Sequence, residues 1–114
     1  MTIKVKLPNT NKYHNTKING YDSIKEYSRG LELRQWQKKG KISKLEKQKI
    51  FVLQESFKNN QNKTIRSIKY IVDYFYIENG IEVAEDVKGF KTDVYKIKAK
   101  LFQKKYPNIK FIET

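Results

Sequence analysis

A chain of 114 residues with 38% hydrophobic and 13% aromatic residues holds enough apolar material for one packed domain and too little for two. Its 25 Lys and Arg against 12 Asp and Glu leave a net charge of +13, which points first to nucleic acid as a partner, although a Lys-favouring composition alone also gives a basic surface. The absence of cysteine excludes a disulfide framework, thiolate zinc sites and a cysteine nucleophile, and the lone His14 excludes a histidine-rich metal centre.

Residues 1–21 are rich in Asn, Lys and Thr, are broken by Pro8 and Gly20, and read as an N-terminal arm with a short alternation of Ile3, Val5 and Leu7. The opening "MTIKVKLPNTNKYHN" lacks the apolar centre of a signal peptide, and no apolar run approaches the ~18 residues of a membrane span. A helix is predicted from Ser23, which with Glu26 forms a capping box, to about Lys39, with Ile24, Tyr27, Leu31, Leu33 and Trp36 as its apolar face and Gly40 as its stop.

"LEKQKIFVLQESF" then predicts a strand around Ile50 to Leu53, followed by the polar loop "KNNQNKT". "SIKYIVDYFYI" is dense in β-branched and aromatic residues, and Asn79-Gly80 before the next apolar alternation signals a two-residue hairpin. After Gly89 the period changes: Thr92 can cap a helix, Asp93 suits its N-terminus, and Val94, Ile97, Leu101 and Phe102 form an apolar stripe. Pro107 ends this helix and "IKFIE" makes a final strand, so the expected fold is α/β, a single domain over residues 22–114 with the order helix, three strands, helix, strand.

Within "IEVAEDVKGF" three carboxylates sit beside one lysine on a predicted strand. If Asn79 and Gly80 are the loop, Glu78 faces Ile81, and five steps down the hairpin Asp73 faces Asp86. Directly opposed residues share a face with Cβ atoms about 4.5–5.5 Å apart, where like charges are destabilising. Alternation puts Asp86 and Lys88 on one face and Glu85 and Val87 on the other, with Glu85 left to bind a basic residue or a helix terminus. Two close carboxylates raise one pKa unless a divalent cation lies between them, and oxygen-only ligands suit Mg²⁺ or Mn²⁺. Lys88 can orient an attacking water or stabilise a phosphate, or it can simply balance the two aspartates; Glu26 can serve chemistry, or only the N3 position of its capping box.

These residues in this order resemble the PD-(D/E)XK nuclease superfamily, whose αβββαβ core carries a helix glutamate, an aspartate on the second strand and a (D/E)-X-K triplet on the third, here Asp86-Val87-Lys88. More closely, "YDSIKEYSRGLELRQWQKKGKISKLEKQKIFVLQ", "YIVDYFY" and "VAEDVKGFKTDVYKIKAKLFQKKYP" are similar to a family of small phage and prophage proteins catalogued as a domain of unknown function and placed among those nucleases. The resemblance spans about residues 12–113 and implies a restriction-endonuclease-like core with a central mixed sheet flanked by helices. It implies Asp73, Asp86 and the backbone carbonyl of Val87 as ligands of Mg²⁺ or Mn²⁺, Glu26 as a further ligand through water, Lys88 as the catalytic lysine and Gln48 as a motif position near the site. One departure is Val72, which stands where the superfamily name places a proline.

The expected activity is metal-dependent endonucleolytic cleavage of DNA, selective for branched or four-way (Holliday) junction DNA in phage recombination or replication, by a homodimer in the cytoplasm of a bacterial host. Lys96, Lys100 and Lys104 recur every four residues and are expected to contact the DNA backbone, with Lys38, Lys39 and Lys41 extending the basic surface; a solvated helix face is the ordinary alternative. The competing readings are a DNA-binding accessory protein without catalysis and a phage inhibitor of a host nucleoprotein.

Overall fold

The computed structural model describes residues 23–114, so the arm expected over residues 1–21 lies outside the described residues. Helix α1 spans Ile24–Lys38 and starts as the capping box requires, with Ser23 Oγ accepting from the Glu26 N–H at 3.1 Å. Gly40, at φ 78°, turns the chain away from the helix. Strand β1 (Ser43–Gln54) is much longer than the apolar run at Ile50 to Leu53. Its first half, rich in Lys, Glu and Gln, has little strand propensity of its own and is ordered by pairing with β4.

Two short strands, β2 (Phe57–Lys58) and β3 (Thr64–Ile65), pair into a ribbon at the edges of the predicted polar loop. Asn59 organises that loop, its Oδ1 accepting from the N–H groups of Gln61 and Lys63 at 2.9 and 3.0 Å. Strands β4 (Ile68–Glu78) and β5 (Ile81–Asp86) form the expected hairpin, with Asn79 and Gly80 both at positive φ as a type I′ turn demands. Its register runs from Glu78↔Ile81 to Tyr74↔Glu85, as counted from the turn. Helix α2 (Asp93–Lys105), capped by Thr92 Oγ1 on the Tyr95 N–H at 3.0 Å, carries the chain to β6 (Lys110–Glu113), which adds parallel to β5. The result is a mixed α/β domain with a four-stranded sheet ordered β1-β4-β5-β6, and neither described helix is long and apolar enough to cross a membrane.

The helices cover opposite faces of the sheet. Leu33 of α1 packs with Tyr74, Tyr76 and Val83, whereas Tyr95, Ala99 and Phe102 of α2 pack with Phe51, Tyr70, Val72, Phe75 and Ala84. Each helix buries only part of the face read in the sequence: Leu33 of α1 is buried with Tyr27 and Trp36 packed against the same cluster, and Phe102 of α2 is buried. In α1 the buried residues are Glu26, Gly30 and Leu33, while Ile24 and Leu31 are exposed, because Gly30 admits the ring of Tyr74 and polar partners await Glu26 and Arg29. In α2 only Phe102 of the expected stripe is buried, and Val94, Ile97 and Leu101 face solvent. Tyr95 and Tyr106 supplied no apolar signal, yet their rings complete the aromatic core around Phe51 and Phe102, whose centroids lie 4.9 Å apart.

Regular alternation breaks at one level of the sheet. Val72 and Tyr74 have the same parity yet pack on opposite faces, and so do Leu45 and Phe51 of β1. Between them lie Asp73 and Gln48, which the flanking pairs Lys47↔Tyr74 and Lys49↔Val72 set opposite each other, with Gln48 at φ 56°. The left-handed residue and the face switch re-aim side chains where the carboxylates converge.

Candidate functional site

The regular β4–β5 ladder ends at Tyr74↔Glu85, one step short of the opposed pair Asp73 and Asp86. Side chains take over there. Asp86 Oδ1 accepts from the Asp73 N–H at 3.0 Å, and Asp73 Oδ2 accepts from the Val87 N–H at 2.8 Å. Each aspartate is thus held to the other strand by a charge-assisted bond, which anchors the carboxylates far more firmly than packing alone. The other oxygen of Asp86 accepts from the Tyr70 hydroxyl, three residues before Asp73 on β4. Asp86 is fully buried and Asp73 partly so.

Burial pushes the Asp73 carboxyl up to about 7; the Val87 N–H opposes that shift, Asp86 and Glu26 add to it by repulsion, and Lys88 partly offsets it. Asp73 therefore feels carboxylates from both layers: Asp86 on the α2 face and Glu26 in the buried first turn of α1. Tyr70 is shifted upward by burial and then by its bond to Asp86, so its phenol keeps its proton and stays a donor. Glu26 is 3% exposed, and its backbone carbonyl accepts from the Tyr74 hydroxyl at 2.7 Å. Among the described residues, no group of three or more Asp, Glu, His or Cys side chains is arranged to hold a metal ion, so Glu26 does not close on the two aspartates.

Beyond Asp86 the chain is held by its own C-terminal strand. The Thr114 N–H donates to the Asp86 carbonyl at 2.9 Å and the Lys88 N–H to the Thr114 carbonyl at 3.2 Å. Lys88 lies on the Asp86 side, its Nζ 4.9 Å from the centroid of the Tyr95 ring. Tyr95 in turn donates to Glu113 Oε2 at 2.5 Å, and that bond, with the nearby Lys91, draws the Glu113 carboxyl downward.

Glu85 points to the other face and meets a basic residue, Arg29 of α1. The guanidinium engages it through two bonds, Nε to Oε2 at 2.5 Å and Nη2 to Oε1 at 3.1 Å. The Tyr76 hydroxyl and Thr114 Oγ1 also donate to this fully buried carboxylate, at 2.7 and 2.8 Å. Arg29 also lies 4.8 Å from the centroid of Trp36 and is shifted upward chiefly by its bond to Glu85, so this is a closed structural network rather than a reactive one.

The remaining candidate residues are all exposed. Gln48 is exposed on β1 at the level of Asp73. Lys96, Lys100 and Lys104 are exposed on α2, whereas Lys38, Lys39 and Lys41 are exposed at and after the end of α1, on the layer across the sheet, so the two groups form separate patches. Sequence reasoning missed Tyr70, Tyr95, Arg29 and Glu113; Arg29 alone left a trace, lying one helical turn after Glu26.

A family model described as "Protein of unknown function (DUF1064)" matches residues 10–113, nearly the whole chain. The chain belongs to the DUF1064 family. No curated protein and no solved structure matches it. The family match takes in α1, the whole sheet and α2, so the aspartate pair, Lys88 and the Arg29–Glu85 network all lie within the DUF1064 segment.

Proposed function

We propose that the protein is a Mg²⁺- or Mn²⁺-dependent endodeoxyribonuclease of the PD-(D/E)XK type, with a restriction-endonuclease-like core, acting on branched DNA. The observation that carries this reading is the crossed pair of bonds at the end of the β4–β5 hairpin, which holds Asp73 and Asp86 at one place with Lys88 on the Asp86 face.

The two aspartates fit a hard divalent cation. Their donors are oxygens, the Asp73 carboxyl is raised to about 7 by burial and neighbouring carboxylates, and a cation relieves that repulsion. Mg²⁺ keeps several waters and takes one or two carboxylates plus substrate phosphate, so a pair of aspartates suffices. Asp73 and Asp86 would hold the ion, with the Val87 carbonyl and Glu26, through water, as further contacts. The ion supplies positive charge for the scissile phosphate and lowers the pKa of a coordinated water.

The chain's own groups do the rest. Tyr70 and the Asp73 N–H fix both oxygens of Asp86, which keeps the ligand in one orientation. Lys88, positioned over Tyr95, brings a fixed ammonium to the phosphate as negative charge develops there. The surplus of basic residues, including the exposed Lys96, Lys100 and Lys104, attracts the backbone that the acidic site alone would repel. Two copies acting together would cut both strands of a four-way junction.

A cleavage panel of linear duplex, single strand, flap and four-way junction, with Mg²⁺, Mn²⁺ or EDTA, tests the proposal. Cutting of the branched substrates only with a divalent ion is expected. Salt-sensitive binding without cleavage under any ion would replace it with the accessory DNA-binding reading.

A further inference from the structure

Phe90 is the most exposed of the large apolar side chains among the described residues, at 83%, and it stands two residues after Lys88 on the segment leading into α2. Val94, Ile97 and Leu101 follow along one line of the helix and are 62%, 58% and 44% exposed. This line is separate from the face that packs on the sheet through Tyr95, Ala99 and Phe102. At ~100° per residue, Lys96, Lys100 and Lys104 run along one flank of the exposed line and Lys98 and Lys105 along the other. The only acidic residue of α2 is Asp93, at its start.

Apolar side chains left in water beside a catalytic segment call for an occupant, and the lysines on both flanks select its charge. A second copy docked through the same line would bring two lysine rails together, which costs free energy. A polyanion is attracted, and it must also offer flat apolar faces. Duplex DNA hides its bases, whereas an unpaired strand presents them, and aromatic stacking combined with a basic track is how single strands are bound.

We infer that Phe90 is a stacking platform for an unpaired base of single-stranded DNA, with the exposed line of α2 and its flanking lysines carrying the adjoining nucleotides past Asp86 and Lys88. The inference rests on the nuclease reading for its purpose, since it names the single-stranded portion of a branched substrate as what the site receives, but not for its test.

The full chain is titrated in EDTA with a fluorescent single-stranded oligonucleotide of about twelve nucleotides and with a duplex of equal length. Phe90→Ala is expected to weaken single-strand binding about ten-fold, while changing duplex binding less than about two-fold, and Phe90→Trp to restore it. Because the side chain is 83% exposed, an unchanged thermal midpoint for each variant confirms folding. Single-strand affinity unmoved by Phe90→Ala, or an equal loss on both DNAs, overturns the inference. So does a wild-type dimer that Phe90→Ala splits into monomers of unaltered single-strand affinity, which would make this face a contact between copies. The titration in EDTA is independent of cleavage, so Phe90-dependent single-strand binding by a chain that cleaves nothing in the Mg²⁺ and Mn²⁺ arms of the cleavage panel upholds the inference and removes the nuclease reading instead.

Discussion

Asp73→Asn removes a charge that the fold holds at a cost, while keeping an oxygen to accept from the Val87 N–H. The Asp73 carboxyl moves from the usual 3.8 to about 7, and at about 1.4 kcal/mol per unit this is a ceiling of ~4 kcal/mol. The side chain is only partly buried, so solvent screening reduces the expected effect to about 2 kcal/mol. Between those two values the folded carboxyl keeps a proton that the unfolded one has lost, so wild-type stability falls as pH rises through the window, and the full cost is present above pH 7. The neutral amide of the Asp73→Asn variant escapes it. Thermal unfolding of both proteins, in EDTA at one ionic strength, should show the variant more stable by about 10 °C at pH 8 and by less than half of that at pH 5. Saturating Mg²⁺ at pH 8 should narrow the gap by stabilising wild type alone. A gap equal at the two pH values, or a variant less stable at pH 8, refutes the assignment of a strained, cation-seeking carboxylate.

Arg29→Met strands the buried Glu85 without its guanidinium and should cost about 3 kcal/mol in urea unfolding, with at least half regained in the Arg29→Met/Glu85→Gln double variant. Gly30→Ala, which helix propensity alone would favour by ~1 kcal/mol, should instead destabilise by about 1–3 kcal/mol because the new Cβ meets the buried Tyr74 hydroxyl, and the penalty should shrink on a Tyr74→Phe background. Neutralising Lys96, Lys100 and Lys104 to Gln should flatten the dependence of log K on log salt by about 0.7–0.9 per lost phosphate contact, measured by DNA binding at several ionic strengths.

The hairpin was legible because its signals are local: Asn79-Gly80 dictates the turn, and from the turn the register follows by counting, down to the meeting of Asp73 and Asp86. The caps at Ser23 and Thr92 were legible for the same reason. The helix faces were legible only in part. Leu33, Tyr27 and Trp36 of α1 and Phe102 of α2 pack inward as read, but Ile24, Leu31, Val94, Ile97 and Leu101 face solvent, and the fold gives their places to Glu26, Gly30, Tyr95 and Ala99, chosen by partners distant in sequence. Nor could alternation reveal the switch at Gln48 and Asp73, since a left-handed non-glycine residue in the middle of a strand leaves no compositional mark. The support of Asp86 by Tyr70, and of Lys88 by Tyr95, likewise appears only when β4, β5 and α2 are brought together.

Cleavage of a labelled four-way junction in Mg²⁺ by wild type, Asp86→Asn and Lys88→Ala, with DNA binding measured in parallel, decides whether the aspartate pair and its lysine form a nuclease centre. The nuclease reading predicts cleavage by wild type, none by Asp86→Asn, little by Lys88→Ala, and junction binding by all three. Undiminished cleavage by Asp86→Asn would contradict it.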